Sequence, residues 1–354
     1  MSSPRELTRR VFLQRAFAFS AAASLAGCAQ GITSATGGSQ APASPTTPAP
    51  KETVHLFMVG DWGTGDSNES AVATAMQTYQ TQQGITASAL LMLGDNFYGD
   101  MTGGVTSARW QSGFEQMFPQ SAFNCPAYAV PGNHDYQNYP TSKVAAELAY
   151  AAQGNTRWTM PSTYYTFQFP ATNPLVTFLA LDSNAPNEPA QPPPPDSSFF
   201  TPTAANVATE AAWLATQLQQ PLTTPFLIAM GHHPVYSNGQ HGDNETLITN
   251  WDPLFRQYGV HLYLAGHDHD LQHLEFTGHP TSFVGSGGGG APLYAEVAAE
   301  DSRGPFFDES HGFSHLEIQS SLLTFRHVDP NGNILHAFTK TPQGVVTILT
   351  LPQQ

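Results

Sequence analysis

Five times along this chain an apolar run halts at a glycine and gives way at once to carboxylate, amide or imidazole groups. The stretches are VHLFMVGDWG (Val54–Gly63), SALLMLGDNFY (Ser88–Tyr98), PAYAVPGNHD (Pro126–Asp135), PFLIAMGHHP (Pro225–Pro234) and VHLYLAGHDH (Val260–His269). Runs of this length and polarity read as strands buried on both faces, the kind found in parallel sheets. A sixth, VTFLALDS (Val176–Ser183), reads the same way without the ligand-rich ending. Ligands of open α/β sheets bind beyond the carboxyl ends of the strands, where loops converge over a rigid scaffold. The glycine ahead of each polar group lets the backbone turn sharply and approach a ligand closely. Asp61, Asp95, Asn133, His232, His267 and His269 are therefore expected to meet at one place, with Tyr98 one turn beyond Asp95. Any one tetrad alone is explained by a helix cap or a turn. Five in succession, each at a strand end, point to strands that deliver metal ligands.

Between the strands, NESAVATAMQTYQTQ, AANVATEAAWLATQLQQ and NETLITNWDPLFRQY have helix-forming composition, and the second has apolar spacing suited to packing on a sheet. The tail GFSHLEIQSSLLTFRHVDPNGNILHAF alternates and turns at DPNGN, which predicts antiparallel strands. The class is α/β with mixed sheets. Residues 53–354 read as a single catalytic domain, large for one core but acceptable for this architecture.

Residues 1–27 read as an export signal: Arg9 and Arg10 stand side by side before an apolar, alanine-rich stretch too short to span a membrane comfortably. TRRVFLQ resembles a twin-arginine signal and LAGC (Leu25–Cys28) a lipoprotein cleavage box, which makes Cys28 the expected lipidated first residue. The alternative is an ordinary signal peptide with an incidental cysteine. Residues 28–52 are almost entirely Ala, Gly, Ser, Thr, Pro and Gln, a tether that cannot bury enough apolar surface to order itself. The expected location is outside the cytoplasm, in the periplasm or at the cell surface, with membrane attachment through the lipid. Without residues 1–27 the chain keeps 8 basic and 26 acidic residues, a net charge of −18 that argues against nucleic acid as a partner. Beyond Cys28 only Cys125 remains, so no disulfide framework supports the domain. It is expected to be a monomer.

The seven candidate donors overfill one tetrahedral site but suit two five- or six-coordinate ions that share a carboxylate. His267 and His269 point to opposite sides if the chain is extended, so a turn is needed for both to serve. Taken with RWTMPSTYYTFQF, FLALDS and FRQYGVHLYLAGHDHDLQHLE, the ordered motifs GDWG, GDNFY, GNHD, GHHPVYS and GHDHDLQ resemble the metallophosphoesterases. Within them the resemblance is to the purple acid phosphatases of the small, mammalian, tartrate-resistant type. Gly63 stands where many other metallophosphoesterases carry a histidine, and Tyr98 offers the extra ligand instead.

The resemblance implies a four-layer αββα sandwich with a dinuclear centre at the strand ends. Asp61, Asp95, Tyr98 and His269 would bind Fe(III), since a hard trivalent cation favours carboxylate and phenolate oxygen. Asp95 would bridge to a second ion, Fe(II), Zn(II) or Mn(II), completed by Asn133, His232 and His267. A hydroxide held by the metals would attack phosphorus, with the ester oxygen leaving in line. His134 and His241 match the family's two histidines that serve the leaving group as proton donors or electrostatic partners. Asp135 is expected to orient the GNHD turn. His233 falls where the family often has an aromatic residue, and the glycine-rich GSGGGG (Gly285–Gly290) lacks the lysine and hydroxyl of a phosphate loop, so it reads as a wall beside the site.

A proline-rich insertion, NAPNEPAQPPPPDSSFFTP, covers residues 184–202. It either stiffens a surface connection or partly covers the site, where Phe199 and Phe200 could stack on a leaving group. The expected activity is an acid phosphatase acting on small phosphate monoesters. The alternatives are a phosphodiesterase or nucleotidase on the same metals, and a non-enzymatic binding or anchoring lipoprotein, which would predict lost ligands.

Overall fold

Leu56 and Met58 point one way from the first strand and Phe57 and Val59 the other, and all four are fully buried. A strand buried on both faces needs a layer on each side. The computed structural model describes residues 53–137, 143–184, 204–297 and 303–351, and supplies both layers. The expectations for residues 1–52 and for the proline-rich segment, including Phe199 and Phe200, lie outside the described residues.

The chain first lays down four parallel strands, Val54–Val59 (β1), Ala89–Met92 (β2), Ala127–Ala129 (β3) and Trp158–Thr159 (β4), side by side in that order. It then leaves to build a second sheet from Tyr165–Phe169 (β5), Val176–Ala180 (β6), Phe226–Met230 (β7), Leu262–Ala265 (β8), Leu271–Leu274 (β9), Ser282–Ser286 (β10) and Phe306–Asp308 (β11). Their spatial order is β11-β9-β10-β8-β7-β6-β5. The chain returns as Phe313–Gln319 (β12), Leu322–Val328 (β13), Ile334–Lys340 (β14) and Val346–Ile348 (β15), with β12 antiparallel against β1. Both sheets are mixed, as expected.

Three apolar cores separate four layers. Leu56, Met58, Leu91 and Leu93 of the first sheet meet Phe178, Ile228, Met230 and Leu264 of the second. On the outer face of the first sheet, Phe57, Val59, Leu90 and Met92 pack on Val72, Met76 and Tyr79 of Ser67–Gln83 (α1). Asp66 caps that helix by accepting from the N–H groups of Asn68 and Glu69, and Gly84 ends it in the left-handed conformation at φ 63°. Lys143–Ala151 (α2) adds Val144 to the same core. The outer face of the second sheet carries Ala204–Leu218 (α3), Glu245–Asn250 (α4) and Asp252–Tyr258 (α5), whose Leu214, Leu247 and Phe255 pack on Leu227, Ala229 and Tyr263.

Two expectations are refined. NETLITNWDPLFRQY is two helices, because Pro253 has no N–H with which to continue the ladder. β3 is three residues long, bracketed by Pro126 and Pro131. The C-terminal turn forms as expected, with Asp329 accepting from the backbone of Asn331 and Asn333.

His315, on β12, shows how the fold responds to pH. Its ring is buried between Phe57 and Tyr79, and burial, then the charges of Arg326 and His55, lower its pKa to about 2. The unfolded chain therefore binds a proton near pH 6.5 that the native state refuses, so stability present above that pH is lost as the pH falls. Between pH 7.5 and 5 this group should forfeit about 2 kcal/mol. A His315→Gln variant, less stable at pH 7.5, should close that gap by a similar amount at pH 5 in urea unfolding. Parallel pH dependence of the two proteins would refute the assignment.

Candidate metal centre

The first sheet carries Asp61, Asp95 and Asn133 just beyond β1, β2 and β3, and the second carries His232, His267 and His269 just beyond β7 and β8. Their meeting point is a seam where the backbones of the two sheets come close together. A Cβ on Gly60 would lie 3.0 Å from the Cα of Gly266, one on Gly94 2.6 Å from the His232 ring, and one on Gly266 2.5 Å from Asp61 Oδ2. Gly60 and Gly266 thus make room for the opposite sheet without a left-handed turn, while Gly94, at φ 87°, does both. Candidate ligands turn the chain as well: Asp61, Asp95 and His267 adopt positive φ of 58°, 49° and 69°. A left-handed non-glycine residue costs roughly 1–2 kcal/mol, and such conformations cluster at functional sites. At His267 this conformation supplies the turn that brings both histidines of GHDH to the cluster.

All seven candidates converge, in two overlapping groups. Tyr98 Oη donates to Asp61 Oδ1 at 3.2 Å and lies 3.3 Å from His269 Nε2, while His269 Nε2 is 3.5 Å from Asp61 Oδ1. On the other side His232 Nε2 and His267 Nδ1 lie 3.0 and 3.1 Å from Asn133 Oδ1 and 3.3 Å from each other. Asp95 touches both groups, with Oδ1 3.4 Å from His232 Nε2 and a hydrogen bond to Tyr98. Asp61, Asp95 and His232 place ligand atoms within 4.8 Å of one another, and all three are buried.

This donor set fits cations. The Nδ1–H of His232 donates to the carbonyl of Leu93 at 2.9 Å and that of His269 to Pro292 at 2.6 Å, which leaves both Nε2 lone pairs aimed into the cluster. Two carboxylates, a phenol oxygen and several imidazole nitrogens face one another, and although burial opposes it, Asp61 and Asp95 raise the pKa of both His232 and His269, that of His269 to about 9. Burial, helped by Asp61 and opposed by His232, pushes Asp95 up to about 7. Burial and the charges of Asp95 and Asp61 push the Tyr98 phenol well above its ordinary value. A bound cation reverses both effects.

The surrounding residues hold this arrangement. Asp135 accepts from the backbone of Gly132, Asn96 and Phe97, tying the GNHD turn to the GDNFY loop as expected. Asn96 donates in turn to Glu147. His134 donates its backbone N–H to Asp95 Oδ1, and its ring packs on Tyr98 with centroids 4.4 Å apart. His241 packs on His267 at 4.1 Å, so one candidate catalytic imidazole borders each half of the cluster. His233 also packs on His267, at 4.3 Å, with Nδ1 2.8 Å from Ser183 Oγ. The glycine-rich wall is in place: Gly289 donates to the Gly60 carbonyl, and a Cβ on Gly287 would lie 2.9 Å from Asp61 Oδ2.

Three contributors escape sequence reasoning. Asp268, between the two histidines of GHDH, accepts from His241, and its motif was in view although its partner was not. Ser183 accepts from the backbone of both His232 and His233. Tyr294 stacks on His269 at 4.1 Å and has no local signal at all.

The calcineurin-like phosphoesterase family model matches residues 54–271, spanning all five motifs. Tartrate-resistant acid phosphatase type 5 of Mus musculus is 33% identical over 315 residues, covering 81% of this chain and 90% of that protein. Among solved structures, GAP50, the anchor in the inner membrane complex of Plasmodium, superposes with a TM-score of 0.66 at 21% identity, covering 80% of this chain and 87% of that one. The purple acid phosphatase PPD1 from yellow lupin (Lupinus luteus) seeds superposes with a TM-score of 0.58 at 18% identity, covering 83% and 55%. These two structures speak for the fold.

Proposed function

The chain belongs to the calcineurin-like metallophosphoesterases, on their purple acid phosphatase branch, and from that premise we propose that it is an acid phosphatase for small phosphate monoesters. The observation that carries this reading is the convergence of all seven candidate donors with the His232 and His269 lone pairs turned inward. Asp61, Asp95, Tyr98 and His269 would hold Fe(III). Asp95, Asn133, His232 and His267 would hold Fe(II), Zn(II) or Mn(II). Bound there, the ions supply an activated water and neutralise charge on the phosphoryl oxygens.

The protein's own residues do the rest. Asp135 and Asn96 keep the two loops in register. The His267 N–H, donating to Asp61 Oδ2 at 2.8 Å, leaves Oδ1 for the Tyr98 side of the cluster. His134 and His241 border the two halves and serve the departing ester oxygen. A complete donor set favours an enzyme over a binding module that merely uses the fold.

The test is hydrolysis of a chromogenic phosphomonoester against its diester analogue, together with the visible spectrum. We expect the monoester to be preferred, and a broad charge-transfer band that disappears in Tyr98→Phe. Preference for the diester would select the phosphodiesterase or nucleotidase alternative. No turnover of either by metal-loaded protein would overturn the enzymatic reading.

We also propose export and lipid attachment at Cys28, supported by TRRVFLQ and LAGC. Palmitate labelling of the expressed protein should vanish in Cys28→Ala. Labelling that persists would remove the anchor.

A further inference from the structure

His241 is exposed at the edge of the cluster, with 39% of its side chain accessible, so packing alone does not fix its ring. What holds it is a carboxylate that is itself almost fully buried. Asp268, 1% exposed, accepts through Oδ1 from both the backbone N–H of His241 at 3.0 Å and its Nδ1 at 2.8 Å. Its Oδ2 accepts from Ser237 Oγ, which in turn accepts from Gly239 N–H and Gln272 Nε2, each at 2.9 Å. A Cβ on Gly239 would lie 2.7 Å from Asp268 Cγ, so the loop lies flat on the carboxylate only because that residue is glycine. Arg303 closes the base of the loop, reaching Asn238 Oδ1, the Ser237 carbonyl and Asp243.

We infer that Asp268 is a positioning residue for His241, fixing the imidazole with Nδ1–H on the carboxylate and Nε2 as the nitrogen that gives a proton to the leaving group. Both Asp268 oxygens already act as acceptors, Oδ1 from the His241 backbone N–H and Oδ2 from Ser237 Oγ, so the ring nitrogen 2.8 Å from Oδ1 is the one that carries hydrogen. The P–O bond to the leaving group breaks, its electron pair stays on the ester oxygen, and that oxygen takes the Nε2 proton of the imidazolium. The ring is left neutral, still donating through Nδ1 to Asp268, while water supplies the oxygen that phosphorus gains. The inference rests on the role proposed for His241.

The test compares metal-loaded wild type, His241→Ala, Asp268→Asn and the double variant on an alkyl phosphate and on 4-nitrophenyl phosphate, whose leaving group needs little proton assistance. We expect Asp268→Asn to lower kcat about tenfold or more on the alkyl ester and less than about threefold on the nitrophenyl ester, with KM unchanged. His241→Ala should show the same selectivity, and adding Asp268→Asn to it should cost little more. If His241→Ala slows both esters alike, the role of His241 fails and the inference falls with it. If His241→Ala is selective and Asp268→Asn is not, the inference alone is overturned. A measurement that needs no folded Asp268 variant is the ring ¹⁵N spectrum of His241 in zinc-loaded wild type, identified by its loss in His241→Gln. The Nδ1–H tautomer in the neutral ring supports the inference, and the Nε2–H tautomer refutes it.

Discussion

Asp95→Asn should lower phosphomonoester hydrolysis by more than about a thousandfold and reduce bound metal from two ions per chain to one or fewer. Residues that only orient a ligand typically cost 10–100-fold when changed, and Asp95, which touches both groups of donors, is the proposed bridge. The isosteric amide keeps an oxygen for the His134 N–H, at 2.8 Å in the native chain, so the GDNFY loop should survive. It loses the charge that answers the Tyr98 and His232 sides together. Metal analysis and kcat on the same preparation decide the matter. Two ions bound with activity within tenfold of wild type would show that Asp95 is not the bridge. The metal-free proteins should differ in the opposite sense, because Asp95 and Asp61 are both buried and the amide relieves that repulsion.

Stripping the metals with a reductant and a chelator at neutral pH should lower Tm by about 10 °C or more. The buried cluster presents the carboxylates of Asp61 and Asp95, the Asn133 oxygen and the inward nitrogens of His232, His267 and His269 to one another. A ligand that binds only the native state stabilises it by about 4 kcal/mol at a thousand times its dissociation constant, so two ions give about 8 kcal/mol. With about 2.1 cal/mol/K of unfolding entropy per residue, each kcal/mol moves the Tm of a roughly 300-residue domain by about 1.6 °C. Adding back divalent metal and iron should restore the transition. An unchanged Tm in protein shown by metal analysis to be metal-free would mean that protons or rearranged side chains already satisfy the cluster.

The candidate ligands could be read from the chain because each follows a local rule: an apolar run makes a doubly buried strand, and the polar group after its glycine lands at the carboxyl end. The cap and left-handed stop of α1 follow similar rules at Asp66 and Gly84. The short strands β4, β9 and β11 do not, since two to four residues of mixed polarity carry too little periodicity to stand out. The break at Trp251–Pro253 could have been foreseen from the proline alone.

What the sequence by itself determined was the list of candidates: seven donors on five strand ends and two flanking histidines, in a chain with 27 acidic against 12 basic residues. Only the tertiary structure decided how they pair. Tyr98 and His269 are 171 residues apart, and Asp61 and His267 are 206. Contacts of that span depend on how two separately built sheets abut, and the abutment is set by whole-face packing and by the space left at Gly60, Gly94 and Gly266. The same holds for Asp268, whose position between two histidines was plain in the chain. Its grip on His241, 27 residues earlier, exists only because the loop Ser237–Asp243 folds back over it. Periodicity reports which face of an element is buried; it carries no information about which distant loop will cover that element's end.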